Sequence, residues 1–320
     1  MTSNNEWRNM VVFQKTLRNS ISCTGVGLHG GTLINMKLAP APVNSGIVFK
    51  RTDVDQSVSE IPAQYNTVTD LMMCTTVENA AGTKVATVEH LMAALSGCGV
   101  DNVVVELDGP EVPVMDGSSA PFVFLIECAD VVEQDSPRRY IKVLKEVEVS
   151  DGEAKATLSP SDNISVAFEI DFDNPRIGKQ NCSYSLRNGT FKNELSRART
   201  FGFLGEFEQL KKLGLAKGGS LDNAIVLSGS DILNEEGLRY EDEFVRHKAL
   251  DAVGDLYLAG APIIGEFYGF RSGHALNNKL LHAFLADKDA WCYTTEAPVR
   301  IANVGGAHWP TKKAAAPATD

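Results

Sequence analysis

The chain has 320 residues, 43% of them hydrophobic and 22% charged, which is the make-up of a globular protein long enough for two domains of ordinary size. Its formal net charge of -11 argues against a broad nucleic-acid surface, which needs basic side chains to displace counterions from phosphates. Six scattered cysteines without a C-x-x-C pair read as reduced thiols of a cytoplasmic protein, and no apolar run approaches the roughly 20 residues that cross a bilayer.

The first segment, MTSNNEWRNMVVFQK, lacks the apolar core and cleavage site of a secretory signal, so at most peripheral membrane contact is expected. Residues 15–50 alternate polar and apolar side chains around glycine-rich turns and predict a β-hairpin. Gly25, Gly27 and Gly30 form a formal G-x-G-x-x-G, but the following LINMKLAP reads as a strand. A dinucleotide site needs a helix there, so the glycines are assigned to a close-packed turn. From Lys84 a helix is predicted to begin near Thr87, apolar at Val88, Leu91, Met92 and Leu95 and stopped by Gly97 and Gly99, with a buried strand over Asn102 to Leu107. Glu89 and His90 then sit on the helix's first turn, where free N–H groups and the dipole favour an anion.

Asp130 to Arg139, DVVEQDSPRR, is charged and contains a proline, which suggests a boundary between halves at 1–134 and 135–300. Residues 196–228 predict a β-α-β insertion whose short helix presents Phe207, Leu210 and Leu213 on one face. Glu243 to Leu258, EFVRHKALDAVGDLYL, predicts one helix with Val245, Ala249, Ala252, Val253, Leu256 and Tyr257 on an apolar arc. His247, Asp251 and Asp255 fall opposite it. An imidazole and a carboxylate one turn apart can hold one metal ion, yet the same spacing is an ordinary helix-surface hydrogen bond, and the motif alone does not choose. A strand, PIIGEFYGF, and a glycine loop carrying His274 follow, while 301–320 reads as a flexible tail. His29, His282 and His308 are read as structural. Two halves of similar order, each offering a histidine from a helix, predict an α+β protein of two similar domains, each packing helices on a small β-sheet, with the active site at their interface.

TGVGLHGG at Thr24 to Gly31, TVEHLMAAL at Thr87 to Leu95, PVMDGSSAPF at Pro113 to Phe122, SRARTFGF at Ser196 to Phe203, FVRHKALDAVGDLYLAG and SGHALNNKLL occur in this order across nearly the whole chain. Together they closely resemble the UDP-3-O-acyl-N-acetylglucosamine deacetylases, zinc amidases at the committed step of lipid A biosynthesis. The resemblance implies one zinc ion per chain held by His90, His247 and Asp251, a set of three that leaves a position open for catalysis. It also implies Glu89 as general base, His274 as general acid with Asp255 as its partner, and Thr200 and Lys248 at the developing oxyanion. The insertion is implied to hold the acyl chain through Phe201, Phe203, Leu210, Gly219, Leu221 and Val226, with Phe172 near the uracil and Arg271 at the pyrophosphate. The implied reaction is hydrolysis of the N-acetyl group of the UDP-sugar, giving acetate. The rivals are a metal-dependent lyase and a sugar-nucleotide or lipid-binding protein without catalysis, and the latter is disfavoured because Glu89, His90, His247, Asp251 and His274 are all present.

Overall fold

Alternation in the sequence becomes alternation in space: the strand Leu33–Pro40 buries Ile34, Met36 and Leu38 and turns Leu33 and Asn35 outward. The computed structural model describes residues 11–71, 73–187 and 189–298. Among the described residues five α-helices stand between the strands: α1 (Glu89–Cys98), α2 (Ala120–Ala129), α3 (Leu204–Lys212), α4 (Glu243–Tyr257) and α5 (His274–Ala286).

Two sheets repeat one plan. In the first, the order is Ile21–Val26, Leu33–Pro40, Val103–Leu107, Ile47–Arg51, Glu60–Pro62, and the only parallel pair is Val103–Leu107 with Ile47–Arg51. In the second, Val147–Asp151, Ala154–Ser159, Ile263–Phe270, Ile164–Asp171 and Lys179–Ser185 follow in the same order, again with the central pair parallel. Tyr140–Val143 and Trp291–Thr294 extend this second sheet to seven strands. Each central strand is preceded by a helix, α1 in one half and α4 in the other. The molecule is therefore a mixed α/β fold of two similar halves, as the repeated order of sequence features implies.

The two equivalent helices pack on each other, and a glycine sets how closely. A Cβ built at Gly254 of α4 would lie 2.1 Å from the carbonyl oxygen of Glu89 and 3.1 Å from the amide of Ala93, so any side chain here would force α1 and α4 apart. Because both helices are enclosed, α1 buries every residue from Glu89 to Leu95, polar ones included.

The structure departs from the sequence reading at four places. Helix α1 begins at Glu89, because Thr87 takes a left-handed backbone with φ of 57° and donates its hydroxyl to buried Glu111. Gly97 lies inside that helix, where the Phe191 ring occupies the space of a side chain, and Gly99 makes the left-handed cap. Val131–Pro137, read as a loose boundary, is a strand antiparallel to Phe13–Leu17; its outer face is solvated, which accounts for its charge. His274 is the first residue of α5 rather than part of a loop. The 301–320 tail and His308 lie outside the described residues.

Candidate active site

Helix α1 supplies His90 from its first turn and α4 supplies His247 and Asp251 from adjacent turns, and the Gly254 contact brings the two together. Candidate ligand atoms of these three buried residues all lie within 4.8 Å of one another. Asp251 Oδ1 is 3.3 Å from His247 Nε2 and 3.6 Å from His90 Nε2, yet it accepts no hydrogen bond from either. His247 Nδ1 donates to the Ala198 carbonyl at 3.0 Å, which fixes the tautomer and leaves Nε2 with its lone pair. Burial above all pushes the His247 pKa down to about 4, so the ring is neutral. Burial by itself would raise Asp251, but His247, Lys248, His90 and His274 hold it well below the usual carboxylate range. A neutral imidazole and an ionised, unpartnered carboxylate oxygen aimed at one spot are the donor set of a divalent metal. These residues fit one, and a bound cation would satisfy the Asp251 oxygen that the protein leaves bare.

Around this cluster the acid–base groups are held by hydrogen bonds. Glu89 Oε2 accepts the Thr75 amide at 3.0 Å, and Oε1 is 3.9 Å from His274 Nε2. Burial raises the Glu89 pKa, which His274 and His90 only partly oppose. Asp255 is fully engaged: Oδ1 accepts the Thr75 hydroxyl at 2.7 Å, while Oδ2 faces Asn277 Nδ2 at 2.9 Å and His274 Nδ1 at 2.8 Å. Burial would lower His274, but Asp255 first, then Glu89 and Asp251, raise its pKa to about 9. The imidazolium is thus the resting form near neutrality.

The remaining expected residues fall in two groups. Lys248 Nζ contacts Asp251 Oδ2 at 2.8 Å, and Asp251 raises the lysine's pKa against the effect of burial. Thr200 follows the Ala198 carbonyl by two residues, its amide bonded to Gly117 at 2.8 Å. Phe201 bridges outward, its ring 6.3 Å from that of His247, 4.9 Å from Phe244 and 5.8 Å from Phe172, and Phe203 lies 6.4 Å from Phe172. Phe172, expected at the nucleotide, therefore belongs to the same aromatic group as residues expected to hold the acyl chain. In the insertion, Phe201–Phe203 pairs parallel with Ile225–Ser228 and α3 lies between them in the chain. The Phe207 ring lies over both Gly202 and Gly219, where a Cβ would meet it at 2.8 and 2.6 Å. Leu210 is half-buried and Val226 buried, but Leu221 is 44% exposed and Leu213 is 76% exposed, so Leu213 leaves the face it was expected to share. Arg271, expected at a pyrophosphate, is paired with Glu153 at 2.7 Å and Asp171 at 2.8 Å.

Several supporting groups carried no signal in the sequence. Thr75 is a small polar residue outside the quoted motifs, Asn277 lies in SGHALNNKLL without a role assigned to it, and the Ala198 carbonyl is backbone. Glu111 is more instructive: it accepts the His29 and Gly30 amides at 2.9 and 3.0 Å, and a Cβ at Gly27 would strike it at 2.6 Å. The glycine-rich turn therefore wraps a buried carboxylate rather than a phosphate. Buried Arg199 binds Glu243, the first residue of α4, at 2.9 Å and so ties the Ala198–Thr200 segment to α4.

A family model described as UDP-3-O-acyl N-acetylglycosamine deacetylase matches residues 14–286. Proteins named UDP-3-O-acyl-N-acetylglucosamine deacetylase match along most of their lengths. One from Stenotrophomonas maltophilia is 52% identical over 283 residues, 88% of this chain and 93% of the relative. One from Hahella chejuensis is 52% identical over 296 residues, 90% and 97% respectively, and one from Shewanella frigidimarina is 50% identical over 283 residues, 88% and 92%. With most of its length and both halves of its site covered by these matches, the chain belongs to the UDP-3-O-acyl-N-acetylglucosamine deacetylase family.

Proposed function

We propose that the protein hydrolyses the N-acetyl group of a UDP-3-O-acyl-N-acetylglucosamine, releasing acetate in lipid A biosynthesis in the cytoplasm. The observation that carries this reading is the enclosure of one His90–His247–Asp251 cluster by a carboxylate, Glu89, and a charged acid, the His274–Asp255 pair. His90, His247 and Asp251 would hold a single zinc ion, which when bound supplies a Lewis acid for the amide carbonyl and acidifies water beside it. Glu89, anchored by the Thr75 amide, takes the proton of the attacking water. Its raised pKa makes it a stronger base than a solvated carboxylate.

Collapse of the tetrahedral intermediate needs a proton on the departing amine nitrogen. His274 carries one through neutrality and delivers it from Nε2, while Asp255 holds Nδ1 and keeps the ring in place. Thr200, with help from Lys248, offers donors to the oxygen that gains negative charge. The insertion, with Phe201, Phe203 and Leu210, receives the acyl chain, and binding there positions the amide.

The test is direct: purified protein is given the UDP-sugar substrate and acetate is assayed before chelation, after chelation, and after return of zinc, iron or magnesium. Acetate release that ceases with chelator and returns best with zinc supports the proposal. Release that persists in metal-depleted protein sinks it. The described residues contain no helix long and apolar enough to cross a membrane.

A further inference from the structure

The glycine-rich turn at 27–31 has a place in the fold but none in the reaction, and what it encloses is a carboxylate. Glu111 is only 3% exposed. Its Oε1 accepts the His29 amide at 2.9 Å and the Thr87 hydroxyl at 3.0 Å, and its Oε2 accepts the Gly30 amide at 3.0 Å. Its backbone neighbours are pinned as well: Ala86, next to Thr87, donates to the Pro110 carbonyl at 2.9 Å and accepts the Val112 amide at 3.0 Å. Removing a carboxylate from water is costly unless donors replace the water, and here three donors from two distant segments do so.

One arm leads from Glu111 to α1. Thr87 is β-branched, yet its φ is 57°, a left-handed conformation that such residues hold only where their surroundings impose it. The hydroxyl bond to Glu111 fastens it there. Val88 then gives its amide to the Thr75 carbonyl at 3.2 Å, Thr75 gives its own amide to Glu89 at 3.0 Å, and α1 starts with Glu89 and His90. Release of Thr87 to an ordinary negative φ would re-aim the chain two residues before Glu89, and a misplacement of about 1 Å at a reacting group can cost about 10²-fold in rate.

The other arm leads to the insertion. With its amides on Glu111, the turn presents the Leu28 and His29 carbonyls to the amides of Gly218 and Lys217 at 3.0 and 3.3 Å. The seat is close: a Cβ at Gly218 would lie 2.3 Å from the Gly27 carbonyl oxygen, and Gly219, next in the chain, lies under the Phe207 ring.

We propose that Glu111 is a positioning residue for both parts of the site: through Thr87 it sets where α1 begins, and so where Glu89 and His90 stand, and through the turn it seats the insertion. The kinetic consequences rest on the deacetylase reading, whereas the effect on metal binding does not.

The test compares Thr87→Val, Thr87→Ser and Glu111→Gln with the parent chain, all at full length. Zinc affinity is measured by calorimetric titration, and kcat and KM are measured with acylated substrate and with the same sugar lacking the acyl group. Thr87→Val keeps the shape and the β-branching but loses the hydroxyl, so kcat and zinc affinity are expected to fall by roughly tenfold with both KM values unchanged. Thr87→Ser, which keeps the hydroxyl, is expected to recover most of both. Glu111→Gln opens both arms, because its amide group would face an N–H or O–H donor, and is expected to add a several-fold rise in KM for the acylated substrate alone. Should Glu111→Gln fail to fold, the Thr87 pair decides. Unchanged kcat and zinc affinity in Thr87→Val, with or without a lower Tm, or an equal loss in Thr87→Ser, overturns the proposal. If the parent chain releases no acetate, the deacetylase reading has failed, and zinc affinity in the Thr87 pair still decides this one.

Discussion

Where α1 crosses α4, seven consecutive residues from Glu89 to Leu95 are buried, whereas no residue of α3 in the insertion is. The first region holds charged groups at fixed distances, each restrained by a packed helix, by hydrogen bonds from Thr75 and Asn277, or by one to the Ala198 carbonyl. The second rests on one ring, Phe207 over Gly202 and Gly219, and leaves Leu204 and Leu213 in solvent. Chemistry at an amide tolerates little displacement of acid, base and ligands, so it is built where backbone cannot move. A flexible acyl chain needs room and adaptable contacts, and on the proposed reading a half-exposed add-on supplies them.

Substitutions in the crossing should therefore be severe and should separate ligation from proton transfer. His247→Ala removes a proposed ligand and is expected to abolish metal binding together with nearly all turnover; metal analysis of the purified variant checks it, and full activity without metal would refute the assignment. Glu89→Gln keeps the Thr75 amide contact but loses the base, so metal content should be normal while kcat falls by about 10²–10⁴. Loss of metal in that variant would make Glu89 a ligand instead.

Gly254→Ala probes the crossing without touching any functional group. The added carbon would stand 2.1 Å from a backbone oxygen, which cannot rotate away as a side chain could, so the helices must part. Overpacking of this kind costs about 1–3 kcal/mol, visible as a lower Tm, and moving His90 away from His247 and Asp251 should weaken metal binding as well. A variant with unchanged Tm and metal affinity would show that the crossing has slack.

These dependencies also mark what the sequence reveals. Helical spacing puts His247, Asp251 and Asp255 on one face but does not choose between a metal site and a surface hydrogen bond; the roles of these three and of His90 are legible through the motifs that carry the family resemblance. Duplication is legible from the order of helices and strands in each half. Gly254 is not: within its helix it reads only as a weak propensity, and its reason is the Glu89 carbonyl of a distant segment. Thr75 is invisible for the same cause, since its two partners lie 14 and 180 residues away. The strand Val131–Pro137 reads as a linker because an edge strand with a solvated face keeps charged alternation that resembles a loop.

Asp255→Asn removes charge at the crossing while leaving its shape. His274 is raised to about 9 from an ordinary imidazole value of 6.5, with Asp255 the foremost charge opposing the effect of burial. A raised pKa means the proton is present below it: the ion pair's contribution to stability is complete below about pH 6.5 and is lost as pH rises through about 9. General-acid function is lost on the same rise, so kcat/KM should fall along a basic limb. A divalent cation bound beside the ring adds positive charge and places that limb somewhat below 9 in the loaded enzyme. In Asp255→Asn the limb should move to still lower pH and the rate should fall by about 10–100-fold with metal retained. A limb that stays in place would assign it to another group.

The smallest effects belong to the insertion, and they test whether its looseness is functional. Leu210→Ala removes apolar surface from a half-buried position, where full burial of such a side chain would be worth about 1.5–3 kcal/mol. If Leu210 contacts the acyl chain, kcat/KM for the acylated substrate should fall by several-fold up to about tenfold, while the same sugar lacking the acyl group is unaffected. Tm should change little, because α3 contributes no buried residue to the core. Leu213→Ala supplies the internal control: its side chain is 76% exposed and lies off the Phe207 face, so neither substrate should notice. Equal losses for acylated and deacylated substrate in Leu210→Ala, with a lower Tm, would make the residue structural. The contrast between a rigid crossing and an adaptable insertion would then fail at the point where it is most specific.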